Sequence, residues 1–263
     1  MKAIRSFFAV AALLCAANLF AQPVAPQANP PPAGGNATES KLRTDLLAGG
    51  TSALIPATRA TPTNWMSRHE GFVAEAKQGG IDVLFMGDSI TDNWRSKGRN
   101  VWNKYYAPLH AANFGIGGDR TQHVLWRIEH GELDGIHPKV TVLMIGTNNS
   151  NSDPADEIAK AIKLIIDDIH ARLPDTKILL LAIFPRNKPV DKPTQMETIH
   201  QVNDIISKYA DGKTVWYLDI GDKFLGPDGK VPADIMADFL HPTEKGYQIW
   251  ADAMNPTLDE MMK

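Results

Sequence analysis

The sequence predicts an α/β fold built on a parallel sheet with helices on both faces. From residue 81 onward, short apolar runs alternate with segments of helical periodicity, the order expected of strand–helix units. Several runs are continuously apolar rather than alternating, as suits strands covered on both faces. The clearest intervening segment places Ile158, Ala161, Ile162, Ile165, Ile166 and Ile169 at helical spacing on one stripe.

In chain order, residues 1–21 read as a signal peptide. Lys2 and Arg5 supply a positive start, residues 7–17 an apolar stretch, and Ala17 and Ala21 small residues suited to cleavage. The stretch falls short of the ~20 apolar residues that span a bilayer, so no stable membrane insertion is expected. The single cysteine, Cys15, lies within it. Cleavage leaves a mature chain with neither disulfide nor thiolate. A secreted or periplasmic location follows. Residues 22–60 begin with QPVAPQANPPPAGGNATES and read as a Pro-rich flexible tether. The folded domain is expected over 61–263.

Strands are expected at 81–86, 111–114, 140–145, 178–184 and 215–218. Asp153 and Pro154 read as the N-cap and first residue of the helix carrying the isoleucine stripe, and Pro174 marks its far end. Thr121 opens another helical run. Right-handed crossovers align the loops that follow the strands along one edge, where open parallel sheets bind ligands. The 263-residue chain is 43% hydrophobic and 22% charged with a net charge of −3. That composition suits a soluble globular domain, and with no basic stripe nucleic acid is not an expected partner.

Chemistry concentrates in four blocks. In Gly87-Asp88-Ser89, an apolar strand runs into a turn that presents a serine, a nucleophile that needs a base beside it. The alternative there is a helix N-cap from Asp88 or Ser89. In Gly115-Ile116-Gly117-Gly118-Asp119-Arg120, glycines between a strand and a helix expose backbone amides to an anion. Arg120 stands where a dinucleotide-binding loop needs glycine. In Gly146-Thr147-Asn148-Asn149, a side-chain amide closes a strand as an oxyanion donor or as plain turn chemistry. In Asp238-Phe239-Leu240-His241-Pro242, one local turn brings a carboxylate to the histidine Nδ1, leaving Nε2 to take a proton from serine. No His-Glu-x-x-His motif occurs, so a catalytic metal is not expected.

These blocks resemble the SGNH hydrolases, or GDSL-type esterases, named for a serine, glycine, asparagine and histidine that fall here on Ser89, Gly118, Asn148 and His241. The stretches PLHAANFGIGGD (108–119) and HVLWR (123–127), with 146–149 and 238–241, resemble the type Ib platelet-activating-factor acetylhydrolase catalytic subunits. The resemblance implies a flavodoxin-like three-layer α/β/α sandwich with a five-stranded, mostly parallel sheet and no cofactor. It implies Ser89, Asp238 and His241 as catalytic residues, and an oxyanion hole from the Ser89 and Gly118 N–H groups and the Asn148 side chain. Ile90 replaces the leucine of the name motif, and Asn149 stands where many relatives have aspartate. The leader and tether depart from the intracellular animal subunits.

The expected function is a serine esterase acting on short acyl esters, O-acetyl groups on a carbohydrate among them. The alternatives are a lysophospholipase or short-chain lipase, and a non-catalytic binding module on the same fold. Residues 186–197 read either as a wall of the site or as a solvated loop. Trp94, Trp102 and Trp126 suit packing or sugar stacking. Nothing in the sequence indicates an oligomeric state.

Overall fold

The computed structural model describes residues 52–59, 64–189 and 191–263. The leader over 1–21 and residues 22–51 of the expected tether lie outside the described residues. Five strands, β1 (Val83–Gly87), β2 (Ala111–Gly115), β3 (Val140–Met144), β4 (Lys177–Leu181) and β5 (Val215–Leu218), form one sheet in the order β2-β1-β3-β4-β5. Every neighbouring pair is parallel, with Val83 opposite both Ala111 and Val140. Strands β1 and β3 are buried at every position, which explains their continuously apolar sequences.

Helices α1 (Trp65–Gln78), α4 (Thr121–Glu129), α5 (Ala155–Arg172) and α6 (Gln195–Ile206) cover one face. Helices α3 (Arg99–Tyr105) and α7 (Glu244–Met261) cover the other, with the short helix α2 (Ser89–Asp92) at the end of β1. The first core contains the whole α5 stripe, each of its six predicted positions being at most 1% exposed. The second is aromatic: Trp94 and Trp250 have ring centroids 5.0 Å apart and Phe85 and Tyr106 4.9 Å apart. The result is the expected three-layer α/β/α sandwich.

Helix α5 has Pro154, extended at φ −63 and ψ 149, as its N-cap, one residue later than expected. Asp153 instead accepts from the Asn149 amide and the Ser52 hydroxyl. The fourth strand ends at Leu181 because the Asn203 side chain takes over both backbone groups of Ile183, at 2.8 and 3.0 Å. Residues 52–59, expected within the tether, are seated on the domain. Ala53 and Leu54 are buried in the first core, and the Ala53 carbonyl accepts from the buried Thr121 hydroxyl at 2.9 Å. Burying Leu54 contributes ~2 kcal/mol to holding the segment there, together with bonds from the Ala57 N–H to the Gln122 carbonyl at 3.1 Å and from Arg59 Nη1 to the Gly117 carbonyl at 2.6 Å.

The chain adds β2 on one side of β1 and β3, β4 and β5 on the other, so the connections leaving β1 and β3 diverge at the carboxyl ends of these strands. That is where open α/β sheets form a crevice.

Candidate active site

The loop after β1 turns because nothing larger than glycine fits at position 87. A Cβ there stands 2.3 Å from both the Met144 carbonyl oxygen and Thr91 Oγ1. Asp88 then caps α2, its carboxylate accepting the Ile90 N–H at 2.9 Å. The capping alternative therefore holds for Asp88, while the Ser89 hydroxyl is directed elsewhere. Burial pushes the Asp88 carboxyl up to about 7, against the opposing Ile90 hydrogen bond. The Tyr247 hydroxyl donates to the Ile90 carbonyl at 2.6 Å, tying this turn to α7.

Ser89 Oγ meets His241 Nε2 at 2.8 Å. His241 Nδ1 lies 2.7 Å from Asp238 Oδ2, while Asp238 Oδ1 accepts the backbone N–H groups of His241 at 2.8 Å and Leu240 at 3.3 Å. This compact turn needs Phe239 at φ 60, uncommon for a residue with a side chain. The Phe239 carbonyl is held by the Asn187 N–H at 3.1 Å. Partial burial works against the Asp238 charge, but the His241 backbone N–H, its imidazole and the Lys188 ammonium hold the carboxyl well below the usual carboxylate range. The Lys188 nitrogen is 3.6 Å away.

The loop after β2 is braced from two sides. The Gly117 N–H donates to Asp92 Oδ2 at 3.1 Å. Asp92 is itself gripped by Arg68 through two bonds of 2.7 Å and by Arg95 at 2.9 Å. Beyond it, buried Asp119 accepts from Trp65 Nε1 at 2.7 Å and pairs with Arg127 Nε at 3.0 Å. Arg127 is also paired with Glu132. Gly118, between the braces, has φ +80, and a Cβ there meets the Arg59 guanidinium at 3.0 Å.

The two asparagines after β3 divide their roles. Asn149 is fully buried; it accepts the Thr121 N–H at 3.0 Å and donates to Gln122 and Asp153, both at 3.1 Å. It is structural. Asn148 is only half-buried, and its Nδ2 donates to the Asp119 carbonyl at 2.8 Å, joining the β3 loop to the β2 loop.

Beside Gly118 and Asn148 opens a cleft of about 430 Å³, also lined by Arg59, Arg120, Thr147 and Arg186. A larger depression of about 550 Å³ around Pro154 and Thr198 touches none of these residues. The 186–197 segment walls the cleft through Arg186, Asp191 and Gln195. Arg186 holds that wall by bonding Asp191 at 2.8 and 2.5 Å and Thr147 Oγ1 at 3.1 Å. The arginines were not singled out from sequence as one cluster, because they come from three loops. The position of Arg186 just beyond an apolar run was the available signal. Trp94 is fully buried, Trp102 packs edge-on to Phe85 at 4.9 Å and Trp126 stacks on His130 at 3.7 Å, so packing occupies all three.

Fold and site together define an ester hydrolase, and the chain belongs to the GDSL-like lipase/acylhydrolase family, whose sequence profile matches residues 85–249. Among its relatives, the platelet-activating factor acetylhydrolase IB subunit alpha2 of Rattus norvegicus is 42% identical over 188 residues, covering 70% of this chain and 78% of the rat chain. The human subunit alpha1 is 37% identical over 201 residues, covering 73% and 84% respectively. A GDSL-like lipase from Bacteroides thetaiotaomicron shares the fold with a TM-score of 0.60 at 19% identity, covering 73% of this chain and 97% of that one. An acetylxylan esterase from Geobacillus stearothermophilus does so with a TM-score of 0.53 at 20% identity, covering 70% and 94%. Among the described residues no helix is long and apolar enough to cross a membrane.

Proposed function

We propose that this protein is an exported serine esterase that removes short acyl groups, O-acetyl groups foremost, from a small-molecule or carbohydrate ester. The observation that carries the proposal is the unbroken chain Ser89 Oγ–His241 Nε2–His241 Nδ1–Asp238 Oδ2. Ser89 Oγ attacks the ester carbonyl as its proton passes to His241 Nε2. Asp238 holds the imidazole in the tautomer whose Nε2 is an acceptor and stabilises the imidazolium that forms. The carbonyl oxygen becomes an oxyanion facing the Ser89 and Gly118 N–H groups and Asn148 Nδ2. Collapse expels the alkoxide, which takes the proton from Nε2 and leaves an acyl-serine. Water repeats the sequence and releases the carboxylic acid.

A preference for short acyl groups is supported by the polar walls of the cleft beside the oxyanion residues Gly118 and Asn148, among them Arg59, Arg120, His123, Thr147, Arg186 and Gln195. A buried methylene contributes ~0.8 kcal/mol only where apolar surface receives it. The names of the relatives, an acetylhydrolase subunit and an acetylxylan esterase, point to the same acyl group. Export rests on the sequence of residues 1–21.

Catalytic efficiency on 4-nitrophenyl acetate, butyrate, octanoate and palmitate, corrected for intrinsic reactivity, tests the acyl preference. An optimum at acetate or butyrate supports it. An optimum at octanoate or beyond replaces it with the lipase reading, and the absence of turnover and of phosphonate labelling leaves a binding module. N-terminal sequencing of the protein recovered outside the cytoplasm tests export.

A further inference from the structure

We propose that the cleft beside Gly118 and Asn148 is a subsite for an oxyanion, a carboxylate or phosphate, carried by the ester substrate, with Arg59 and Arg120 as its specificity-determining residues. The proposal rests on the esterase reading for its location and on the cleft's own charges for its chemistry. Among the described residues, three arginines line the cleft against a single aspartate. That aspartate, Asp191, is consumed by Arg186, which holds it through two bonds. Arg59 and Arg120 remain.

Among the described residues Arg59 has no carboxylate partner, and Arg120 has only a long ion pair to Asp153. Arg59 Nη1 donates to the Gly117 carbonyl at 2.6 Å, a neutral acceptor that fixes the guanidinium against Gly118. Among the described residues no carboxylate lies within ion-pair distance of it. Arg120 Nη1 donates to the neutral Ser152 hydroxyl at 3.0 Å, and its nearest carboxylate oxygen, on Asp153, is 3.8 Å away. A guanidinium keeps five N–H donors in a fixed fork that matches carboxylate and phosphate oxygens. Each of these arginines therefore has donors beyond those it uses on the described residues.

His123 reports the same local field. Its Nδ1 accepts the Arg120 backbone N–H at 3.0 Å, so the ring is neutral and carries its proton on Nε2. Burial pushes its pKa down to about 4, and Arg59, Arg120 and Arg127 push the same way. Among its described lining residues the cleft thus offers two cations and neutral donors, and no acid other than the Asp191 held by Arg186. Its volume of about 430 Å³ also exceeds what an acetyl group alone occupies.

The test compares charged and neutral esters of matched shape. One pair carries the charge on the alcohol, 4-acetoxybenzoate against 4-acetoxybenzamide. The other carries it on the acyl group, mono-4-nitrophenyl adipate against 4-nitrophenyl hexanoate. A third substrate, 4-acetoxyphenyl phosphate, distinguishes phosphate from carboxylate. For at least one charged ester, the charged-to-neutral ratio of kcat/KM should exceed one by roughly 10-fold, the scale of one charge-assisted hydrogen bond. Arg59→Gln and Arg120→Gln should each lower that ratio, and added salt should compress it. Reading each variant alone guards against one that folds poorly. A ratio at or below one for every charged ester, or a ratio that neither variant moves, overturns the subsite while leaving the esterase intact. If no ester is turned over, the esterase reading fails, and binding of inorganic phosphate then judges the subsite. Saturable binding lost in both variants supports it, and no binding overturns it.

Discussion

Ser89 Oγ and His241 Nε2 lie 2.8 Å apart across 152 positions of sequence. The serine sits at the first position of α2 and the histidine just before α7, and the Tyr247–Ile90 hydrogen bond clamps these two helices together. The contact is therefore set by the second core and not by either loop alone. Ser89→Ala should reduce ester turnover by ~10⁶-fold while leaving the thermal unfolding midpoint nearly unchanged, because a hydroxyl is lost and no packing. Turnover and organophosphonate labelling measured on the same preparation check this; label still incorporated in the variant would sink the assignment.

Asp238→Asn separates turn-making from tautomer control. Asparagine keeps an oxygen for the Leu240 and His241 N–H groups that Asp238 Oδ1 now accepts. Its amide, though, donates where Oδ2 accepted from Nδ1, forcing the ring proton onto Nε2 and presenting a donor to Ser89. The expected outcome is a ~10⁴-fold fall in kcat with an unaltered circular dichroism spectrum. A fall below 10-fold would leave Asp238 as a turn former only.

Asn148→Ala should lower kcat by ~10²–10³-fold with little change in KM, since an oxyanion donor acts mainly in the transition state. Asp119 is fully buried, so losing the bond from Asn148 Nδ2 also leaves its carbonyl unpaired, at a cost of ~1–3 kcal/mol in stability. Unchanged kcat with lowered thermal stability would make Asn148 a loop brace. Asn148-Asn149-Ser150 also reads as a glycosylation sequon, yet Asn148 lines the cleft and Ser150 is 5% exposed. Intact-mass measurement should find no glycan there.

Asp88→Asn should flatten the pH dependence of stability. Burial raises the Asp88 pKa to about 7 in the folded state, above the ~3.9 of an unfolded aspartate. The folded protein therefore binds more protons than the unfolded one between these values. The contribution is fully present below about pH 4 and is lost as pH rises through 7, at a slope of up to roughly 1.4 kcal/mol per pH unit. Urea unfolding at pH 5 and pH 8 should show wild type losing stability over this interval and Asp88→Asn losing less. Parallel losses in both proteins would show that Asp88 is not the group responsible.

Much of this was legible in the sequence because the signals are local. Asp238 and His241 are three residues apart, so a single turn makes their bond. The continuous apolar runs announced buried strands, and the glycines and asparagines that follow them marked the loops at their ends. The family resemblance singled out Asn148, but the strand-end pattern alone does not separate it from Asn149, whose structural use shows only in the position of Thr121 and Gln122. Nor were the braces on the glycine loop. Asp92 with Arg68, and Asp119 with Trp65, join residues 24 and 54 positions apart, and nothing in the pattern pairs them.

The sequence by itself determined the layer architecture and the residue types presented at the strand ends, because helical and strand periodicities report burial one element at a time. Only the tertiary structure decided which of those residues meet. The parallel order β2-β1-β3-β4-β5 brings the β1, β2 and β3 loops to one edge, and α7 packing on the second core carries His241 onto Ser89. The same packing seats residues 52–59 on the domain, so that Arg59 reaches the Gly117 carbonyl across 58 positions. Such contacts depend on the summed burial of whole helices and strands, a quantity that no local pattern encodes.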